Sequence, residues 1–210
     1  STLYTAGVAG YSRTSVSNCT MSGSHTLNTD DSKASVRCAG IVGQIITRAG
    51  EDTVISNCST TETAKVTLST SNSSANYAAG IIGLCNNGID GCTNKATISV
   101  KINKQLTGKG ITYIAGVAGV QKVTMNDCHN YGTITADMAE STSPLYAGTV
   151  LSQNYSANAT AQKCSNSGTM TITDAGNTEN IGLMVGVNQG TIDDATMTNT
   201  GKVIVNGTEL

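Results

Sequence analysis

The groups in this 210-residue chain that could do chemistry are seven cysteines, two histidines, fourteen acids and twelve basic residues. Glycosidic hydrolysis needs two carboxylates at a set separation, and metal-assisted cleavage needs a cation with a base beside it. Asp90, Asp127, Asp193 and Asp194 share no spacing, and Arg13, Arg37 and Arg48 all lie toward the N-terminus, away from them. No His-Glu-x-x-His, Gly-x-Ser-x-Gly or phosphate loop occurs, and Gly108-Lys-Gly110 lacks the third glycine of a dinucleotide fingerprint. Asp30-Asp31 and Asp193-Asp194 could each help bind calcium, but two adjacent acids are a weak signal and most such pairs are solvated. There is no Cys-x-x-Cys, and neither His25 nor His129 is spaced for zinc. The expectation is a non-enzyme with no catalytic residue, no metal and no cofactor.

Two groups could bind rather than react. Lys95, Lys101, Lys104, Lys109 and Lys122 occur with no acid between them, so Lys101, Lys104 and Lys109 define a locally positive loop that would suit an acidic glycan. A solvated loop is the plainer reading. Tyr77 and Tyr113 share a sequence slot with Tyr4 and could stack on sugars; packing at a corner with the hydroxyl in water is the favoured alternative.

What must position these residues is a repeat. Six copies align on Gly7, Gly40, Gly80, Gly116, Gly148 and Gly182, which are 33, 40, 36, 32 and 34 residues apart. Examples are Tyr4-Thr-Ala-Gly7-Val-Ala-Gly10 and Tyr77-Ala-Ala-Gly80-Ile-Ile-Gly83; on this alignment Leu151 and Val185 replace the second glycine of the last two copies. Each copy then carries a cysteine slot (Cys19, Cys58, Cys92, Cys128, Cys164, with Met197 sixth); in the last four an asparagine follows two residues later (Asn94, Asn130, Asn166, Asn199), and four residues after the slot come Gly23, Glu62, Ala96, Gly132, Gly168 and Gly201. Periods of this length signal a solenoid. A slot that accepts Met wants apolar volume, so the cysteines read as a reduced core ladder, with a disulfide between coils or a local Cys85–Cys92 bridge as alternatives. The asparagines read as a corner ladder that tolerates left-handed backbone.

Blocks such as Ala39-Gly40-Ile41-Val42-Gly43 with Val54-Ile55-Ser56-Asn57-Cys58 resemble the Glug repeat of bacterial surface proteins, from roughly Tyr4 to Val205. The resemblance implies a secreted or cell-surface place, as in adhesin-like proteins and the non-catalytic parts of some immunoglobulin-cleaving proteases. It implies no activity.

Composition narrows the class. Phe and Trp are absent and 38% of residues are apolar, so the core must be built from small and branched side chains in rows. The net charge of −2 and the lack of a basic stripe argue against nucleic acid as a partner. No apolar run reaches the roughly 20 residues of a membrane span. The pieces after the late glycine, such as Thr97-Ile-Ser-Val100, alternate polar and apolar like half-buried strands, with Thr97, Thr133 and Thr169 in one outer column. An all-β, right-handed parallel β-helix of about six coils with three short strands per coil follows, as a single domain over 1–210. It reads as a segment of a longer protein.

The expected function is an extracellular or cell-surface, adhesin-like binding or stalk module. Its partner would be a host or bacterial surface glycan or protein, without membrane insertion by this segment. A polysaccharide-cleaving β-helix and a pure spacer are the alternatives.

Overall fold

The computed structural model describes all residues except 31–32, 48–51, 72–73, 104–109, 139–140, 142–143, 174–175 and 177. It is a parallel β-solenoid. Five sheets each take one strand from every repeat, and neighbouring strands in a sheet come from successive repeats. The third coil illustrates the course: Asn76–Ala79, Ile82–Cys85, Gly88–Asp90, Thr93–Asn94 and Thr97–Ile102 contribute to the first to fifth sheets. Six rungs result, so five helical repeats separate the first from the last. Among the described residues no α-helix forms; a 3-10 turn at Asp194–Thr196 interrupts the last coil.

The expectation of three strands per coil is corrected to five, because two of the blocks bend within themselves. The Gly-Val/Ile block turns at its first glycine, dividing Thr2–Ala6 from Ala9–Ser12. The cysteine block kinks one residue before the thiol, where Asn18, Asn57, Gly91, Asp127 and Lys163 have φ between 50° and 60°. This is left-handed backbone, cheap for Gly and tolerated by Asn and Asp. The asparagine column expected in that conformation sits instead in extended strands of the fourth sheet.

The repeat alignment also slips by one residue in the last two coils. Strand register pairs Tyr113 with Tyr146 and Ala115 with Gly148. Thr149 therefore takes the corner that Gly116 takes in the coil before, and the Gly116 N–H donates to its carbonyl at 3.0 Å. The second-glycine slot falls on Ser152 and Gly186, not on Leu151 and Val185. Ser152 fits because its hydroxyl folds back onto the Tyr146 carbonyl at 2.7 Å.

The interior is made of columns. Ile55, Ile89, Met125 and Ala161 stack in the third sheet, and Val66, Ile98, Ile134, Met170 and Val203 in the fifth. All are almost wholly buried, so small branched side chains do fill a continuous core. On the outer side of the fifth sheet, Thr67, Ser99, Thr135 and Thr171 align in one column. Among the described residues pairing is parallel except at Thr208–Glu209, which folds back on Lys202–Val205 through Asn206-Gly207 with φ of 50° and 82°. That hairpin, with Lys202 Nζ on Glu209 Oε2 at 2.9 Å, closes one edge of the fifth sheet.

Candidate functional site

The chain turns sharply between the first and second sheets, and the second strand runs back across the first. A Cβ on Gly10 would lie 2.9 Å from the Tyr4 carbonyl oxygen, and one on Gly43 3.1 Å from that of Arg37. The second glycine of each block is thus a close-approach glycine, which lets the two strands form a narrow arch. Residues pointing out of the arch on its two arms face one another along a lengthwise groove. One wall is the column Tyr4, Arg37, Tyr77, Tyr113, Tyr146. The other is Tyr11, Gln44, Leu84, Val120, Gln153.

The tyrosine wall is packed. The Tyr77 and Tyr113 rings stack at 4.5 Å and 13°, Tyr146 meets Tyr113 edge-on at 5.5 Å, and Tyr4 meets Tyr11 edge-on at 5.2 Å. Arg37 occupies the vacant slot with its guanidinium carbon 5.2 Å from both the Tyr4 and Tyr77 rings. Tyr77 and Tyr113 are under one-tenth exposed, so their faces serve each other and not a sugar. Burial raises the pKa of both phenols, which keeps them protonated at neutral pH.

Between the walls lies a cavity of about 230 Å³ floored by Tyr77, Leu84, Tyr113 and Val120. Gln153 forms its side and Lys122 and Tyr155 its lip, with Lys122 Nζ 5.0 Å from the Tyr155 ring centre. Several buried polar atoms of the groove have no hydrogen-bond partner: Oε1 of Gln153, Oε1 of Gln44, and Nε and Nη1 of Arg37. Burying a polar atom unpaired costs roughly 1–3 kcal/mol; buried atoms of Asn76, Asn86 and Thr112, outside the groove, are unpaired as well.

The residues singled out from sequence are only partly brought together. Tyr77 and Tyr113 adjoin; Lys101 lies exposed on the fifth sheet, beside Asp137 of the next rung, which offsets its charge. Lys104 and Lys109 lie outside the described residues. Arg37, Gln153, Lys122 and Tyr155 were not singled out as partners of the tyrosines. The signal for Arg37 is its place in the tyrosine slot, and for the others it is the register of the last coils.

Two internal ladders are structural. Nδ2 of Asn94 donates to Asn130 Oδ1 at 2.8 Å, Asn130 to Asn166 at 2.8 Å, and Asn166 to Asn199 at 2.7 Å. Each Oδ1 also accepts from the N–H two residues on, as from Gly168 at 3.1 Å to Asn166. Asn94, Asn130 and Asn166 are buried, which removes a row of exposed amides as a ligand site. Among the described residues every cysteine is a free thiol. Cys58, Cys92, Cys128 and Cys164 are buried, and each donates to the carbonyl two residues back, at 3.1–3.4 Å. Hydrogen bonding with Cys164 and Cys92, together with burial, holds the Cys128 thiol well above its usual range, and burial pushes Cys38 and Cys85 up to about 12. Hydrogen bonding from Cys128 lowers Cys92 and Cys164 in turn, but all of these thiols are buried in the core, away from any substrate. The Cys85–Cys92 bridge is not formed.

One further constellation spans two rungs of the fourth sheet. Ser165 Oγ lies 2.8 Å from His129 Nδ1, and His129 Nε2 lies 3.3 Å from Asp127 Oδ1. The order matches a nucleophile, base and orienting acid. An acyl transfer also needs N–H donors aimed at the oxyanion. Here the N–H groups of Lys163, Ser165, Ser167 and Gly168 are already engaged, with Thr196 Oγ1, the Cys128 carbonyl and the Asn130 carbonyl. Asp127 is largely exposed. The contact continues an outer polar column in which Thr20 meets Ser59 at 3.2 Å.

No family model matches the chain, and no curated protein matches it by sequence. A crystal structure of a candidate immunoglobulin A1 protease from Bacteroides ovatus is similar, with a TM-score of 0.54 at 16% identity. The match covers 98% of this chain and 60% of that one. At this identity the likeness is one of fold. No helix of the described residues is long and apolar enough to cross a membrane.

Proposed function

We propose that this chain is a non-catalytic, adhesin-like binding module of a secreted or cell-surface protein. The observation that carries the reading is the lengthwise groove between the first and second sheets, with its open cavity of about 230 Å³ edged by Lys122, Gln153 and Tyr155. A spacer has no use for a concave, partly apolar groove with a cation at its lip, whereas a binding surface offers one to its ligand. The Glug-like blocks agree with a non-catalytic part of a surface protein, and the similar fold makes up 60% of a longer chain. The test is an array of surface glycans and extracellular proteins probed with the purified chain. Saturable binding without turnover is expected; no binding to any of them would leave the spacer reading in its place.

The contact of Ser165, His129 and Asp127 favours a second reading, a hydrolase. Turnover of a glycan or immunoglobulin substrate, lost on Ser165→Ala, would establish it and overturn the first.

A further inference from the structure

We propose that the corner between the fourth and fifth sheets of the second coil binds a neutral glycan. Glu62, Thr93 and Lys95 hold one sugar ring, and Tyr131 carries the next. The site is separate from the groove and does not depend on what the groove binds.

An insertion builds it. The cysteine slot and the strand of the fifth sheet are five positions apart in the third coil, Cys92 to Thr97, but seven apart in the second, Cys58 to Lys65. Yet Lys65 pairs with Thr97. Ala64 therefore takes the slot that spacing assigns to Glu62, and the extra residues leave the wall as a turn. The Ala64 N–H closes that turn on the Thr61 carbonyl at 3.1 Å. The other coils keep the shorter span. An insertion peculiar to one repeat projects from one face of a solenoid, where such folds commonly carry recognition. The floor beneath is fixed. Thr60 replaces the ladder asparagine, and its Oγ1 donates to Asn94 Oδ1 at 2.6 Å.

Between the turn and the third coil lies an open cavity of about 560 Å³, walled by the turn, Ser59, Thr93 and Lys95. This falls within the roughly 300–1,000 Å³ of small-molecule sites. Its polar groups face solvent: Glu62, Thr63 and Lys95 are exposed, and Ser59, Thr61 and Thr93 are half-buried. Among the described residues no hydrogen bond or ion pair engages the Glu62 carboxylate, the Thr93 hydroxyl or the Lys95 ammonium. The Thr63 hydroxyl donates to the Ser22 carbonyl at 3.1 Å. Thr61, 3.0 Å from Thr63, must then supply the proton of their shared bond, and it presents only lone pairs to a ligand.

The ligand class follows from these groups. Glu62 and Thr61 accept, Lys95 donates, and Thr93 does either. A ring bearing several hydroxyls satisfies all four. An anion would meet Glu62 and a cation would meet Lys95, whereas a neutral polyol is opposed by neither. Tyr131 occupies the position of Lys95 one rung on, about 4.8 Å along the stack. It is 49% exposed, with its ring centre 6.1 Å from that of His129. Its open face offers a second sugar an apolar platform, so the ligand has at least two rings. A peptide is disfavoured, because the strands here are paired on both sides and offer no edge for strand addition.

The experiment is calorimetry with cellotetraose, maltotetraose and mannotetraose, alongside anionic tetragalacturonate, cationic chitosan tetramer and zwitterionic glutamine. At least one neutral tetramer should bind, one per chain. Glu62→Gln should weaken it about tenfold and Tyr131→Ala about fivefold. Deleting Glu62 and Thr63 restores the shorter span and should abolish binding without lowering the thermal midpoint. Glu62 is exposed, so its variant folds even if the deletion does not. Lys122→Gln, in the groove, should change nothing. Binding of none of the neutral tetramers, preference for a charged or zwitterionic probe, or indifference to Glu62→Gln would overturn the proposal. Binding lost on Lys122→Gln but kept by Glu62→Gln would put the sugar in the groove; this site then fails and the binding-module reading stands.

Discussion

Removing one amide from the middle of the asparagine ladder tests how the coils are held together. Asn130→Ala deletes the bond accepted from Asn94 and the bond donated to Asn166, each 2.8 Å, and the local bond from the Gly132 N–H at 3.3 Å. Asn94 Nδ2, in a buried side chain, loses its ladder partner. Two bonds at a net ~1 kcal/mol each, plus a desolvated orphan donor, sum to on the order of 3 kcal/mol. Cys128→Ala, in the neighbouring column, removes one buried sulfur and should cost only about 1–2 kcal/mol. Urea unfolding followed by far-ultraviolet circular dichroism gives both midpoints in parallel. Asn130→Asp adds a directional check. It sets an oxygen against Asn166 Oδ1, so its carboxyl is driven up, and the protonated form alone can donate. The stability of that variant should be greatest below the unfolded carboxyl pKa of about 3.9 and fall as pH rises through the raised folded value. An Asn130→Ala midpoint no lower than that of Cys128→Ala would refute the ladder as the stronger inter-coil tie.

Two further outcomes follow from backbone and burial. Lys163 holds φ at 55° where other repeats use Asn, Gly or Asp, so Lys163→Asn should raise stability by about 0.5–1 kcal/mol in the same urea assay. Cys38 and Cys85 are pushed from 9.0 to about 12 by burial, so the folded chain keeps protons that the unfolded chain releases. Their contribution is complete below pH 9 and is lost as pH rises toward 12, by up to about 1.4 kcal/mol per pH unit for each thiol. Cys38→Ala and Cys85→Ala should each flatten that alkaline decline in a pH series of melting curves.

Much of the fold was legible because a solenoid writes each core column into the sequence at a fixed slot. Cys58, Cys92, Cys128 and Cys164 landed in the core where their spacing placed them, and the asparagines after them formed a ladder, though in extended strands and not at a left-handed corner. The register of the last two coils was not legible from glycine. Gly148 follows an alanine as the earlier corner glycines do, yet the corner falls on Thr149, because the neighbouring strand pairs Tyr146 with Tyr113. Tyrosine marked the register better than glycine there, since a packed aromatic column has one geometry and a glycine fits many. The five-strand section was hidden because left-handed kinks at Asp127 and Lys163 carry no glycine signal. The groove was hidden for a different reason. Its two walls lie seven residues apart across the arch, as with Arg37 and Gln44, and only the fold-back makes them face each other. The lysine run was misleading in the opposite sense: the next rung sets Asp137 beside Lys101, although no acid is near it in sequence.

The most direct test of a groove that binds without cleaving is a crystal structure of the chain soaked with an oligosaccharide from the array. The account predicts an intact chain of sugars along the first and second sheets. An empty groove with cleaved product at Ser165 and His129 would contradict it.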